Sequence, residues 1–417
     1  MAENMSMVVL RGRVLLPDTM IDDGVVIARG DRLAFVGSAA EARDAGFDAQ
    51  LGQVPPSYDY VLPGLVDLHN HGGGGVGFPD ATSVDEAMRA VLEHRRHGTT
   101  TMLASLVTAD PDTLARRAAM LADLADTGEI AGIHAEGPFL SHERRGAHDP
   151  ARLRDGDAAW VRDLAKAARG HLATMTVAPE VPGVAGPGGA ATALIEAGAI
   201  PSLGHTDGTT EAAEALISQV TAGLRLAAEV AGTVGHREMT ATHLFNGMRP
   251  LHHRAPGPIA ACLAAAARGD LVVELIADGV HLDPATVRTV FGTVGADQVV
   301  LVTDAMAAAG MADGSYELGP MSVTVRDGVA RLADPAAPDG GAIAGGTAHL
   351  VDVVRHTVAA GVPLLEAVRS ASVVPARVLG LDRRIGTLAR GLRADALVAD
   401  EELRPRRVLR GGVEVQR

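Results

Sequence analysis

The chain has 417 residues, 47% of them hydrophobic but only 2% aromatic, and carries a formal net charge of −14 at pH 7. A core of Ala, Val, Leu and Ile leaves few rings to stack on sugars or bases, which excludes a polysaccharide cleft; the acidic balance excludes a general nucleic-acid or anionic-membrane surface, since both need clustered Lys and Arg. The length exceeds the roughly 250 residues of a (β/α)8 barrel, so one large domain with a smaller one fits it.

In chain order, the opening MAENMSMVVLRGR has no apolar h-region, and no apolar run approaches the roughly 20 residues of a membrane span, so the expectation is a cytoplasmic protein. Val-rich runs at Met7 to Leu16 and Gly24 to Val36, the latter broken at Gly30-Asp31, predict sheet without helices over the first sixty residues. Ala394 to Ala399 and Arg407 to Val415 repeat that texture at the other end. The two ends are therefore expected to pair, residues 1–61 with 383–417, into one small β domain.

Between them, over residues 62–382, short apolar strands alternate with helical stretches, the pattern of βα units around a parallel sheet. Eight strands are predicted: Tyr60 to His69, Thr99 to Leu106, Ile130 to Glu136, Ala173 to Pro179, Ile200 to His205, Met239 to Phe245, Leu271 to Ala277 and Gln298 to Asp304. Helices at Val84 to His97, Pro111 to Asp126 and Pro284 to Val294 separate several of them. Met321 to Leu332, alternating around Asp327-Gly328, reads as an inserted β-hairpin leading into the Gly-rich loop Gly340 to Gly346. The single cysteine, Cys262, lies in the apolar stretch Ile259 to Ala267 and reads as buried packing.

Chemically capable residues follow strand after strand: His69 and His71, Glu136, His205, His243, His281 and Asp304. In a βα barrel the C-terminal strand ends are where active sites are assembled. His69-Asn70-His71 puts two imidazoles on one side of an extended segment, so both can converge on a cation. Glu136, His205 and His243 repeat the arrangement at later strands. This nitrogen and oxygen set points to a borderline divalent metal, zinc first, with iron, cobalt or manganese as alternatives. Asp304 is the natural general base, because a metal lowers the pKa of bound water toward about 7 and a nearby carboxylate can take the proton and later deliver it to a leaving amine. A structural carboxylate that caps the following segment is the plainer alternative. His281 is placed to polarise a carbonyl or hold a hydroxyl, with Asp278 as its orienting partner. Two loops, Arg144 to His148 and Asn246 to Gly257, combine donors with glycine as anion sites do, although a solvated basic loop has the same composition.

The segments PGLVDLHNHGGGG, HAEGPFLSHERRGAH, LGHTDGT, THLFNGMRPLHHRAPG, ADGVHL, LVTDAMAAAG and IAGGT, spread over residues 63–347, resemble in order the motifs of the N-acetylglucosamine-6-phosphate deacetylase family of amidohydrolases. The resemblance implies a distorted (β/α)8 TIM-type barrel with a small β-sandwich built from both chain ends, and a homodimer. It implies that Glu136, His205 and His243 hold the principal metal, and that His69 and His71 hold a second, giving one or two zinc ions per subunit. His148 and His281 are implied to contact substrate; Ala147, Asn246, Gly247, Ile343, Ala344 and Gly345 line the sugar site; and Arg254 reaches the 6-phosphate from the neighbouring subunit. Ala135 departs from the family, where a larger apolar residue, often Leu, is usual. The expected reaction is deacetylation of N-acetylglucosamine-6-phosphate by metal-bound hydroxide, with Asp304 as base and then acid. The rivals are the galactosamine epimer, an N-acyl amino acid or a cyclic amide as substrate, and a non-catalytic scaffold with no chemical need for the full set of residues.

Overall fold

The computed structural model describes residues 7–232, 237–333 and 340–416. The opening residues 1–6 of the expected leaderless start lie outside the described residues. Eight parallel strands follow one another around a single sheet in chain order, Leu65–Asp67, Thr99–Val107, Gly132–Glu136, Leu172–Val177, Ile200–Leu203, Met239–Ala241, Leu271–Leu275 and Val299–Leu301. Side chains of these strands are buried almost without exception, as expected where helices cover the outside and packed residues fill the inside. The first and last strands close the ring by single contacts rather than a full ladder: Asn70 bridges Ala305, and the Asp304 amide donates to the His69 carbonyl at 2.9 Å. The barrel is accordingly distorted at that seam. Fully buried Asp67 ties it, accepting Thr303 Oγ1 at 2.7 Å and Asn70 Nδ2 at 3.1 Å.

The helices form where caps and periodicity agree. Pro111–Asp126 starts behind Asp110, whose carboxylate accepts the Thr113 amide, with proline in its first turn. Pro284–Val294 repeats the device with Asp283. Cys262 is fully buried in the helix Gly257–Ala267, and burial pushes its thiol up to about 12, which leaves it a packing residue.

The chain ends pair as expected into one seven-stranded sheet, in the order Val413–Glu414, Pro405–Arg410, Ala396–Ala399, Tyr60–Pro63, Met7–Leu15, Met20–Arg29, Arg32–Ser38. The sheet curls until Leu33 of its last strand exchanges backbone hydrogen bonds with Gly391 and Leu392, and Val26 and Ala28 share a core with Ala396, Val398 and Leu409 from the other end. Its layers thus face one another as in a sandwich.

Three expectations change. The first sixty residues are not free of helix: Ala39–Asp44 and Asp48–Leu51 cover Val25 and Ile27. The first of them starts with a capping box, in which Ser38 accepts the Glu41 amide while the Glu41 carboxylate accepts the Ser38 amide. The run Tyr60 to His69 is two strands, split at Gly64, one in each sheet. A side chain at Gly64 would meet Thr100 Oγ1 at 2.2 Å, so only glycine passes between them. The insertion after the eighth strand is three strands, with Gly314–Leu318 added to the hairpin Met321–Arg326 and Val329–Leu332.

Candidate active site

The chemically capable residues sit on the last residue of a strand or within a few residues beyond it. Glu136 ends the third strand; His69, His205, His243 and Asp304 lie two or three residues past theirs. Three of them, His205, His243 and Asp304, have positive φ (46°, 29° and 48°), a conformation that costs on the order of 1–3 kcal/mol in a non-glycine residue. The turn at each strand end swings the side chain across the barrel mouth instead of along the sheet. At the eighth strand the backbone is held by a glycine pair: the Gly346 amide donates to the Asp304 carbonyl at 2.7 Å, and a Cβ on Gly345 would meet that same oxygen at 2.8 Å. This close approach is the physical content of the IAGGT segment.

The side chains converge. Glu136 Oε1 lies 3.0 Å from His205 Nε2 and 2.9 Å from His243 Nε2, while its Oε2 lies 3.2 Å from His71 Nε2. Asp304 Oδ1 is 3.2 Å from both His69 Nε2 and His71 Nε2. The imidazole nitrogens also face one another, at 2.9 Å between His69 and His71 and 3.1 Å between His205 and His243. Lone pairs aimed at lone pairs are stable only around a proton or a cation. Electrostatics agree: although burial opposes it, the Asp304 and Glu136 carboxylates hold His69 well above the ordinary histidine range, and the histidines hold Glu136 and Asp304 below the carboxylate range. At the barrel mouth three overlapping groups come close enough to share an ion, His69 with His71 and Asp304, His69 with Glu136 and His243, and Glu136 with His148 and His205. The contacts of Glu136 Oε1 with His205 and His243 add a further set of suitable donor type and spacing.

His148 Nε2 is also near, 3.3 Å from Glu136 Oε2, yet its Nδ1 accepts the Thr108 amide at 3.4 Å. That tautomer carries its proton on Nε2 and donates to the carboxylate, so His148 is a hydrogen-bond donor in the site rather than a ligand. His281 Nδ1 donates to Asp278 Oδ2 at 2.8 Å, the partner expected from sequence. Burial opposes the charge, but Asp278 raises the His281 pKa and so favours the imidazolium, the form in which Nε2 also carries a hydrogen.

A cleft of about 230 Å³ opens over these groups. Its walls include Ala147, Asn246, Gly247, Ile343 and Gly345, as the motifs implied; Ala344 is buried behind them. Val107, Leu318 and Ala342 also line it and were not anticipated. Leu318 comes from the inserted sheet, whose contribution to the wall no spacing rule signals. A latch was also missed: Asp207 binds Arg249 at 2.6 Å and Arg144 at 2.7 Å, fastening to one another the loops that follow the third and sixth strands, and these guanidiniums bring its carboxyl down to about 2. Arg254 is exposed, outside the cleft, with no side-chain partner among the described residues. Ala135 is buried in the main core.

A model of the amidohydrolase family matches residues 60–413. The chain belongs to the amidohydrolase family. Among its relatives, an N-acetylglucosamine-6-phosphate deacetylase of Lysinibacillus sphaericus is 31% identical over 366 residues, 86% of each chain, and an N-acetylgalactosamine-6-phosphate deacetylase of Escherichia coli O157:H7 is 31% identical over 350 residues, 83% of this chain and 85% of that one. Among solved structures, a D267A variant of N-acetyl-D-glucosamine-6-phosphate deacetylase from Mycobacterium smegmatis, in complex with N-acetyl-D-glucosamine-6-phosphate, superposes with a TM-score of 0.83 at 39% identity, covering 98% of this chain and 99% of that chain. The family resemblance read from the motifs therefore stands, and the amidohydrolase carries its cluster of potential metal donors at the barrel mouth. No helix among its described residues is long and apolar enough to cross a membrane.

Proposed function

We propose that this amidohydrolase removes the acetyl group of N-acetylglucosamine-6-phosphate, giving glucosamine-6-phosphate and acetate. The observation that carries the reading is the placement of Asp304, whose carboxylate meets two imidazoles on one side and opens on the cleft on the other. One or two divalent ions, zinc by ligand type, would be held by Glu136, His205 and His243 and by His69 and His71; such an ion acidifies water and polarises an acyl oxygen. Asp304 takes the proton of the attacking water as the C–O bond forms and returns it to the amine nitrogen as the C–N bond breaks. In its protonated form His281, held by Asp278, donates to the acyl oxygen or to a sugar hydroxyl, and His148 holds Glu136 and faces the sugar. Backbone around Ala147, Asn246, Gly247, Ile343 and Gly345 shapes the sugar pocket.

Arg144 and Arg249 are committed to Asp207, so the 6-phosphate needs another cation. Exposed Arg254 supplies it in a homodimer, reaching the site of the neighbouring subunit. A cytoplasmic location completes the proposal. The relative from E. coli O157:H7 supports a second reading, the galactosamine epimer of the same substrate.

The test is acetate release by protein dialysed against chelator and reloaded with zinc. Metal-dependent release from N-acetylglucosamine-6-phosphate is expected, with strong preference over the unphosphorylated sugar and over N-acetylgalactosamine-6-phosphate. Arg254→Ala is expected to raise KM for the phosphorylated sugar about tenfold to a hundredfold, since a charge-assisted contact to phosphate is worth about 1.5–3 kcal/mol. No release from any of the three sugars would send the search to other amides.

A further inference from the structure

Five imidazoles meet at Glu136 and Asp304; His148 is fixed as a donor to Glu136, and of the other four two have their outer nitrogen occupied. His71 Nδ1 lies 3.2 Å from the Ser105 carbonyl, and His205 Nδ1 lies 2.8 Å from the Arg144 carbonyl. An Nδ1–H given to an acceptor fixes the tautomer that leaves Nε2 as a lone pair for a metal. His69 and His243 both differ, the Nδ1 of each being buried without a hydrogen bond, but among the described residues only His69 Nδ1 has a carboxylate facing it. The carboxylate oxygen facing it is Glu274 Oε2, at 3.5 Å.

Glu274 stands in the apolar seventh strand, Leu271–Leu275, and is only 4% exposed. The same Oε2 lies 3.4 Å from the backbone nitrogen of His243. Among the described residues it has no Lys or Arg partner, and it does not line the cleft. A buried carboxylate without a cation costs several kcal/mol, so its retention inside a barrel strand asks for a compensating contact. His69 Nδ1 and the His243 amide are the two donors within reach. Glu274 is not itself placed as a ligand, because it faces the Nδ1 edge of His69 while Asp304 and Glu136 face the Nε2 edge.

We propose that Glu274 is a positioning residue for the metal site: it accepts the Nδ1–H of His69 and so holds His69 Nε2 toward His71 and Asp304 as a donor. The contact with the His243 amide anchors the carboxylate between the first and sixth strand ends. The proposal rests on the metal-dependent reading above. A carboxylate behind a histidine fixes the ring and raises its basicity, and its removal weakens metal binding by about 10–100-fold.

The experiment titrates chelator-stripped protein with zinc against a fluorescent chelator, which reads affinity without turnover. Glu274→Met keeps the volume and removes both charge and acceptor; Glu274→Gln keeps an acceptor. Glu274→Met is expected to weaken the more sensitive zinc ion about 10–100-fold, and Glu274→Gln less than Glu274→Met. In the His69→Asn background Glu274→Met is expected to add nothing, because residues that act through one another are not additive. Apo-protein melting temperatures of the two Glu274 variants close to that of the wild type would show that the fold is kept. Wild-type zinc affinity in Glu274→Met, or effects of Glu274→Met and His69→Asn that simply add, would overturn the proposal. A wild-type protein that takes up no zinc would overturn the metal-dependent reading instead, whatever stands at position 274.

Discussion

Among the described residues, buried histidines and carboxylates gather in two clusters, built from the same residue types and used oppositely. At the barrel mouth, ring nitrogens converge on one another and on Glu136 and Asp304. Behind it, where the helix Val84–Arg96 meets the start of the helix Leu350–Ala359, each ring has a nitrogen already engaged. His349 Nε2 meets Glu93 Oε1 at 2.9 Å and its Nδ1 lies 3.4 Å from Asp352; His97 Nδ1 meets the Glu93 carbonyl at 2.8 Å; His94 Nε2 meets the Gly72 carbonyl at 2.8 Å. Glu93, His97 and His349 come close enough to share an ion, but the His97 and His349 rings are stacked, 3.5 Å apart and 15° from parallel. A cation between stacked rings would lie out of both ring planes, where imidazole has no lone pair. The second cluster is a brace. It ties the glycine loop after His71 and, through the packing of Glu93 against Gly310, the loop after Asp304 to two helices. Direction of lone pairs, rather than residue type, separates a reactive cluster from a structural one.

The comparison breaks most sharply at Asp304. Asp304→Asn is expected to cut turnover by roughly a thousandfold or more while leaving KM nearly unchanged, because the amide cannot accept and return the proton. Near-normal kcat in that variant would remove the general-base assignment. In the brace, the corresponding probe is pH. His94 is fully buried, and desolvation, with His349 nearby, brings its pKa down to about 3. Its neutral form contributes stability that is fully present above the unfolded value near 6.5 and is lost as pH falls toward 3. His349 runs the other way: burial opposes, but Asp352 and Glu93 raise its pKa, so its pairing stabilises below about 6.5 and is lost as pH rises through the raised value. Denaturant unfolding of His94→Gln between about pH 6.5 and pH 4 is expected to lose about 2–3 kcal/mol less stability than the wild type over that window. An unchanged acid slope would show that His94 is not the group that titrates.

How much of this was legible depended on the range of the interaction. Residues at strand ends announced themselves, because a polar group after an apolar run needs no partner to be noticed, and His69, His71, Glu136, His205, His243 and Asp304 all arrive where the periodicity put them. Short-range signals were present but passed over: Ser38-Ala-Ala-Glu41 is a capping box, and the glycine at position 64 marks the split in what read as one strand. Glu274 had a signal too, a charge inside the apolar run Leu271–Leu275, which is costly unless paired. The Asp207 latch and the brace had none. Arg144 and Asp207 lie 63 positions apart, and Glu93 and His349 lie 256 apart, so only the closed barrel brings them together.

The smallest expected effect tests whether the two clusters are independent. Glu93→Gln keeps the shape of the brace and an acceptor for His349 but removes the charge, so the loss is expected at about 1 kcal/mol of unfolding free energy, the net scale of one hydrogen bond in a partly exposed setting. The His349 pKa is expected to drop back toward 6.5 in this variant, since Glu93 is one of the two carboxylates that raise it; NMR titration of the ring reads this directly. Zinc affinity and kcat should stay within about threefold of wild type, because Glu93 reaches the site only through the packing of the glycine loops. If zinc binding fell instead by tenfold, the brace would be setting the positions of His71 and Asp304, and the two clusters would have to be treated as one coupled unit.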